Sequence, residues 1–160
     1  MNPYNGYTGT GKEREAKLRA QHARVKRGFP AHPPGLCSIC QDPSAPVEAH
    51  AEDYSHPYLW EPPAEYALCR LCHRDRLHKR FLKPDIWAAH KAHVRRAGYS
   101  SDLRRPEIAR ELDAFRKAWR KGETLELRQL RPRIVPDDAW WEGLTTDPSS
   151  LTSTASRPRP

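Results

Sequence analysis

Four cysteines share one spacing, Cys37-Ser-Ile-Cys40 and Cys69-Arg-Leu-Cys72, with 28 residues between the pairs. A C-x2-C turn presents two thiolates on one side, and two such turns complete a tetrahedral zinc site with Zn–S distances of ~2.3 Å. All four cysteines of the chain are used, so the spacing points to a structural Zn2+ held by Cys37, Cys40, Cys69 and Cys72. Two other chemistries account for less of the chain. Cys69-Arg-Leu-Cys72-His73 spells the C-x-x-C-H haem attachment signature. Haem, however, would leave the first pair without a role, and Met1 is the only methionine. A redox dithiol belongs in a βαβ setting, and neither pair has one.

The intervening and following residues carry a second pattern. Val47-Glu48-Ala49-His50-Ala51-Glu52-Asp53-Tyr54-Ser55-His56-Pro57 lies between the pairs, and His73-Arg-Asp-Arg-Leu-His78 follows them. Over about 36–81, under a third of the chain, this resembles the zinc-containing HNH endonucleases of phages and mobile elements. Their pattern is a C-x2-C knuckle, a strand ending His-His-x-Asp-Tyr-x-x-Pro, and Leu-Cys-x-x-Cys-His-x-x-x-His on a helix. His50, Asp53, Tyr54, Pro57, Leu68-Cys69, Cys72-His73 and the later His78 stand in matching places.

The resemblance implies a ββα-metal fold and metal-dependent hydrolysis of DNA phosphodiesters, with RNA an open alternative. On that reading His50 and His73 bind the catalytic cation, and His78 or an acid completes the sphere. The catalytic set is then His50, His73, His78, Glu52 and Asp53, with Mg2+ or another divalent cation as cofactor. Arg70, Arg74, Arg76, Lys79 and Arg80 neutralise phosphates from the knuckle and its helix. Two departures stand out. The second histidine of the family's pair, the usual general base, is Ala51 here, which cannot accept a proton. His50 could itself serve as base, with Glu52 two residues on and on the same strand face. His73 and His78 are five apart, about 140° around an α-helix, so either the helix is irregular there or only one of them faces the metal. The alternatives are a catalytically inactive HNH-derived module that binds DNA, and a protein-interaction module working through its helices and the Trp140-Trp141 tail.

Charge is distributed in blocks. Residues 11–36 carry seven Lys/Arg against two acids, 37–68 carry six acids and no Lys or Arg, and 69–133 carry nineteen bases against eight acids. An acidic island between two basic arms suits a metal site flanked by phosphate-gripping surfaces, although solvated helix faces give the same pattern. With 37% hydrophobic and 30% charged residues and 16 prolines in 160 residues, a large apolar core is not expected. No apolar run reaches the ~20 residues of a membrane span. The opening residues show no apolar signal region, so the expected setting is cytoplasmic and reducing.

These motifs need elements to position them, and the expected fold class is α+β: a small ββα-metal zinc nucleus with flanking α-helices and disordered termini. Residues 1–10 are expected to be disordered. A basic helix and Pro-rich linker span 11–35, with a capping box at Thr10–Glu13 and a stop at Gly28 and Pro30. The zinc-bound nucleus covers 36–83 and a helical extension covers 84–135. In that extension Ile86, Ala89, His93 and Ala97 recur at helical spacing up to Gly98, and Ile108, Leu112, Phe115 and Trp119 form a second stripe ending at Gly122. Residues 136–160 are read as a flexible tail, with Trp140 and Trp141 able to dock it. Trp60 and Trp87 are assigned to the core with Trp119. His90 and His93 are assigned to packing or phosphate contact and His56 to a turn, and Glu48, Glu52, Glu61 and Glu65 have ordinary solvated acids as their alternative reading.

Overall fold

A computed structural model describes residues 11–80, 82–125, 133–135 and 139–144. The expected disorder of 1–10, the Thr10 end of the capping box, Phe81, the basic stretch 126–132 and the tail beyond 144 lie outside them. The described chain mixes α-helices with one two-stranded sheet and is α+β. None of its helices is long and apolar enough to cross a membrane.

Strand β1 (Val47–Ala51) pairs antiparallel with β2 (Glu65–Cys69), placing His50 opposite Tyr66 and Ala51 opposite Glu65. Side chains alternate across a strand, so Glu48, His50 and Glu52 share one face while Ala49 and Ala51 share the other. All five β2 residues are buried. The first cysteine turn is tied to β2 by the Ser38 amide, which donates to the Ala67 carbonyl at 2.8 Å.

Helix α1 (Gly11–Lys26) matches its expected span within a residue, and Gly28 at φ +89° ends it. Its docking has little to do with hydrophobicity. Lys17 is its only buried residue, while Leu18 and Val25 remain 49% and 42% exposed. Lys17 Nζ reaches into the body to pair with Glu65 at 3.2 Å and to donate to the carbonyls of Asp53 (2.8 Å) and Leu59 (3.0 Å). Glu65 is thus a buried partner rather than a solvated acid.

Helices α2 (Pro84–Arg95) and α3 (Pro106–Arg120) begin with proline in the first turn, where the missing N–H costs no hydrogen bond. The inward face of α2 is Trp87, Ala89, His90, His93 and Val94, rotated from the expected stripe through Ile86 and Ala97 because the indole of Trp87 takes the core position. On α3, Ile108, Leu112 and Phe115 are buried, but Trp119 is 55% exposed. Its ring stacks on Phe115 at 5.8 Å, one turn beyond the end of the covered stripe, which corrects its assignment to the core. Trp60 is also only half-buried, lying against the cations of α1.

One hydrophobic cluster joins the four cysteines and Ile39 to Leu68, Leu71, Leu77, Trp87, Val94, Ile108, Leu112 and Trp141. The helical extension therefore shares its core with the cysteine nucleus. The described part of the expected flexible tail belongs there too. Residues Trp140–Gly143 form a 3-10 turn with Trp141 buried, because the indole fills the core and Glu142 pairs with Arg95.

Candidate metal centres

The four cysteine side chains converge, all buried and none in a disulfide. Cys40 Sγ and Cys69 Sγ are 3.8 Å apart, about the edge of a tetrahedron whose arms are ~2.3 Å long. Burial, the largest cause, pushes the Cys37 and Cys72 thiols well up. Cys40 and Cys69 are held below the ordinary thiol value, first by the hydrogen bond from Cys37. Four buried sulfurs at this spacing are compatible with a structural zinc. Donors surround them: Ser100 Oγ and His90 Nε2 (3.5 Å) reach Cys72 Sγ, and the Cys72 amide donates to Cys69 Sγ at 3.5 Å. Such outer contacts orient thiolates and offset their charge. His90 is therefore a packing residue, as expected, and also a neighbour of the sulfur cluster.

A second group forms on the other side of the same segment. Ligand atoms of His50, His73 and His78 all lie within 4.8 Å of one another, with ring centroids 4.8 Å (His50–His73), 4.4 Å (His73–His78) and 5.8 Å (His50–His78) apart. The five-residue spacing of His73 and His78 is accommodated by local irregularity. Leu71–Arg76 is a π-helical turn and Leu77–Lys79 a 3-10 turn. In a π-turn the hydrogen bond runs from i to i+5, as in the Leu77 amide donating to the Cys72 carbonyl. Residues five apart thereby approach one another, which an α-helix would prevent.

Carboxylates stand behind two of the rings. Glu52 Oε1 lies 2.5 Å from His50 Nε2, and Glu48 Oε1 lies 2.7 Å from His73 Nδ1. Arg74 holds Glu48 with two hydrogen bonds of 3.0 Å. Each carboxylate engages one ring nitrogen, the arrangement common behind metal-bound histidines. Burial pushes His73 down to about 4, the nearby His50 adding to it, and burial with the neighbouring His73 and His50 pushes His78 down to about 3. Both are neutral at neutral pH, as ligands must be. Burial raises the Glu52 carboxyl, but the hydrogen bond to His50 and the charges of His50 and Arg80 outweigh it and hold it below its ordinary value.

The remaining expected site residues divide. Asp53 accepts from the Ser55 amide (2.8 Å) and hydroxyl (2.7 Å), closing a loop turn, and it is not among the residues whose ligand atoms converge. Arg80 is buried, 2% exposed, and pairs with Glu52 at 3.5 Å, so it braces the site rather than presenting a surface charge to phosphate. Arg76 is half-buried, and desolvation lowers its pKa. Arg70, Arg74 and Lys79 are exposed, although Arg74 is engaged by Glu48. His56 is exposed in its loop, its ring against Tyr58.

Three contributors escaped the sequence reading. Glu48 orients His73, and its alternation with His50 and Glu52 was the available signal. Trp140 docks as its sequence allows, stacking on Tyr66 at 4.0 Å, but its place 6.0 Å from His50 has no local signal. Helix α1 supplies Arg14, Lys17 and Leu18 to a cavity of ≈ 250 Å³ whose other walls include Ala51, His73 and His78. Comparison with family models, with curated proteins and with solved structures finds no match.

Proposed function

We propose that this chain is an endonuclease related to the zinc-containing HNH group, hydrolysing DNA phosphodiesters with a divalent cation at His50, His73 and His78 on a zinc-stabilised ββα-metal scaffold. The observation that carries the reading is the convergence of those three imidazoles, two of them backed by carboxylates. Three nitrogen donors favour a transition metal over Mg2+, which prefers oxygen. A divalent cation held there supplies Lewis acidity to a phosphodiester and acidifies the attacking water, work that a base at position 51 would otherwise share. Glu48 and Glu52 fix ring orientation and tautomer, Arg80 braces Glu52, and exposed Arg70 and Lys79 attract phosphate.

The test is plasmid nicking by the zinc-loaded protein with Mn2+, Co2+, Ni2+ or Mg2+ added, against His73→Ala. Metal-dependent nicking that His73→Ala abolishes supports the reading. DNA binding without cleavage by any cation replaces it with the second reading, an inactive HNH-derived DNA-binding module, which the alanine at position 51 favours.

A further inference from the structure

Away from the histidines, the C-terminal end of α1 and the loop before β2 bring rings and guanidinium groups together. Arg24 lies between two rings, its Cζ 4.8 Å from the Phe29 centroid and 4.7 Å from that of Trp60. Arg27 lies 6.0 Å from Phe29, and Tyr58 meets Trp60 edge-on at 5.8 Å. Phe29 is 50% exposed and Leu59 58%. A cavity of ≈ 430 Å³ opens here, walled by Arg24, Arg27, Phe29, Tyr58 and Trp60 among others and by no acidic side chain. A second, of ≈ 350 Å³, shares Arg24, Phe29 and Trp60 but is also lined by Glu61 and Glu65, so the first is the one suited to an anion.

We propose that this surface binds single-stranded nucleic acid, its bases stacking on Phe29, Tyr58 and Trp60 and its phosphates meeting Arg24 and Arg27. The pairing of ring faces with guanidinium groups fits that ligand on two counts. Aromatic side chains stack on any base whose face is free, and Arg neutralises the backbone beside it. A duplex hides its base faces in the stack and offers phosphates and groove edges instead. A cationic ligand is repelled by the two guanidinium groups already present. The surrounding block 11–36 carries an excess of five positive charges, which adds attraction for a polyanion. The same helix continues to the histidines. Arg14 lines their cavity and Arg24 the aromatic one, ten residues or about 15 Å apart along α1. A strand stacked on Trp60 thus has a basic helix to follow toward His73 and His78.

The experiment measures binding of fluorescein-labelled dT15, rU15 and a 15-base-pair duplex by anisotropy, using the full zinc-loaded chain with no second cation added. Because it reads affinity without cleavage, its outcome is separate from that of the nicking assay. The strands are expected to bind at least tenfold tighter than the duplex. Phe29→Ala and Tyr58→Ala should each weaken strand binding about tenfold and leave duplex binding unchanged. Arg27→Gln should lower the slope of log K against log salt by about 0.7. Phe29 is half-exposed, and an unchanged circular dichroism spectrum shows that its variant is folded. Equal affinity for strand and duplex, or strand affinity indifferent to Phe29 and Tyr58, overturns the proposal. Competition by an acidic, tyrosine-containing peptide at the oligonucleotide's own affinity also overturns it and assigns the surface to a protein partner. A preference between dT15 and rU15 identifies which nucleic acid is bound.

Discussion

Replacing Lys17 by methionine tests whether α1 is held by charge rather than by apolar packing. Lys17 and Glu65 are each about 4% exposed and 3.2 Å apart, and the ammonium also serves two backbone carbonyls. Removing one partner of a buried pair leaves the other charge desolvated and uncompensated, a loss of about 3–5 kcal/mol. That is a large share of the ~5–15 kcal/mol that stabilises a domain of this size. In the double variant Lys17→Met/Glu65→Met no charge is stranded. Only the Asp53 and Leu59 carbonyls lose a donor, at about 1 kcal/mol each, so roughly half of the loss should return. Urea unfolding of zinc-loaded protein, followed by circular dichroism, measures all four corners of the cycle. A Lys17→Met loss below about 1 kcal/mol, or a double variant as unstable as the two singles summed, would refute the reasoning.

Three further outcomes are expected. Cys69→Ala should abolish zinc binding and cooperative unfolding together, since metal affinity here is also folding free energy, and a zinc-stripped sample of full thermal stability contradicts this. Glu48→Gln should weaken Co2+ or Mn2+ binding at the histidines about 10–100-fold while zinc at the cysteines stays stoichiometric, as titration with metal analysis would read; unchanged affinity removes Glu48 from any supporting role. Trp141→Ala should cost about 3–5 kcal/mol as a cavity in the core, whereas Trp119→Ala should stay within about 0.5 kcal/mol. Denaturation curves that reverse this order reject the placement of the C-terminal turn.

What could be read in advance follows from the range of the interactions involved. The cysteine turns and the helix starts at Pro84 and Pro106 depend on neighbours a few residues away, and they are legible. The pairing of His50 with Glu52 is legible for the same reason, being a matter of strand alternation. Glu48 was passed over only because its partners, His73 and Arg74, lie 25 and 26 residues downstream. Arg80 reads as surface charge, and its burial against Glu52 depends on how the turns at 71–79 aim it. The stripe on α3 gives the correct face, but periodicity does not say where the neighbouring layer ends, and Trp119 lies beyond it. The tail reads as polar and proline-rich, and although Trp140 and Trp141 mark it as able to dock, where they dock is a tertiary matter between distant segments.

The two clusters of possible ligands are not independent, because a single stretch of chain serves both. Cys69 ends β2, Cys72 lies in the π-turn, and His73 follows it directly. Leu71 and Leu77 bury on the core side of those turns, while His73 and His78 point to the other. The π-turn followed by the 3-10 turn places two rings five residues apart at 4.4 Å, and a π-turn is a rare winding. The sulfur cluster packs against it, with His90 and Ser100 on Cys72. Loosening the sulfurs frees the segment to relax to α-helix, and about 140° of rotation then separates His73 from His78. Removing a metal held by the cysteines should therefore disperse the three imidazoles even where α2 and α3 keep their helicity, a loss that Co2+ titration of the histidines would read.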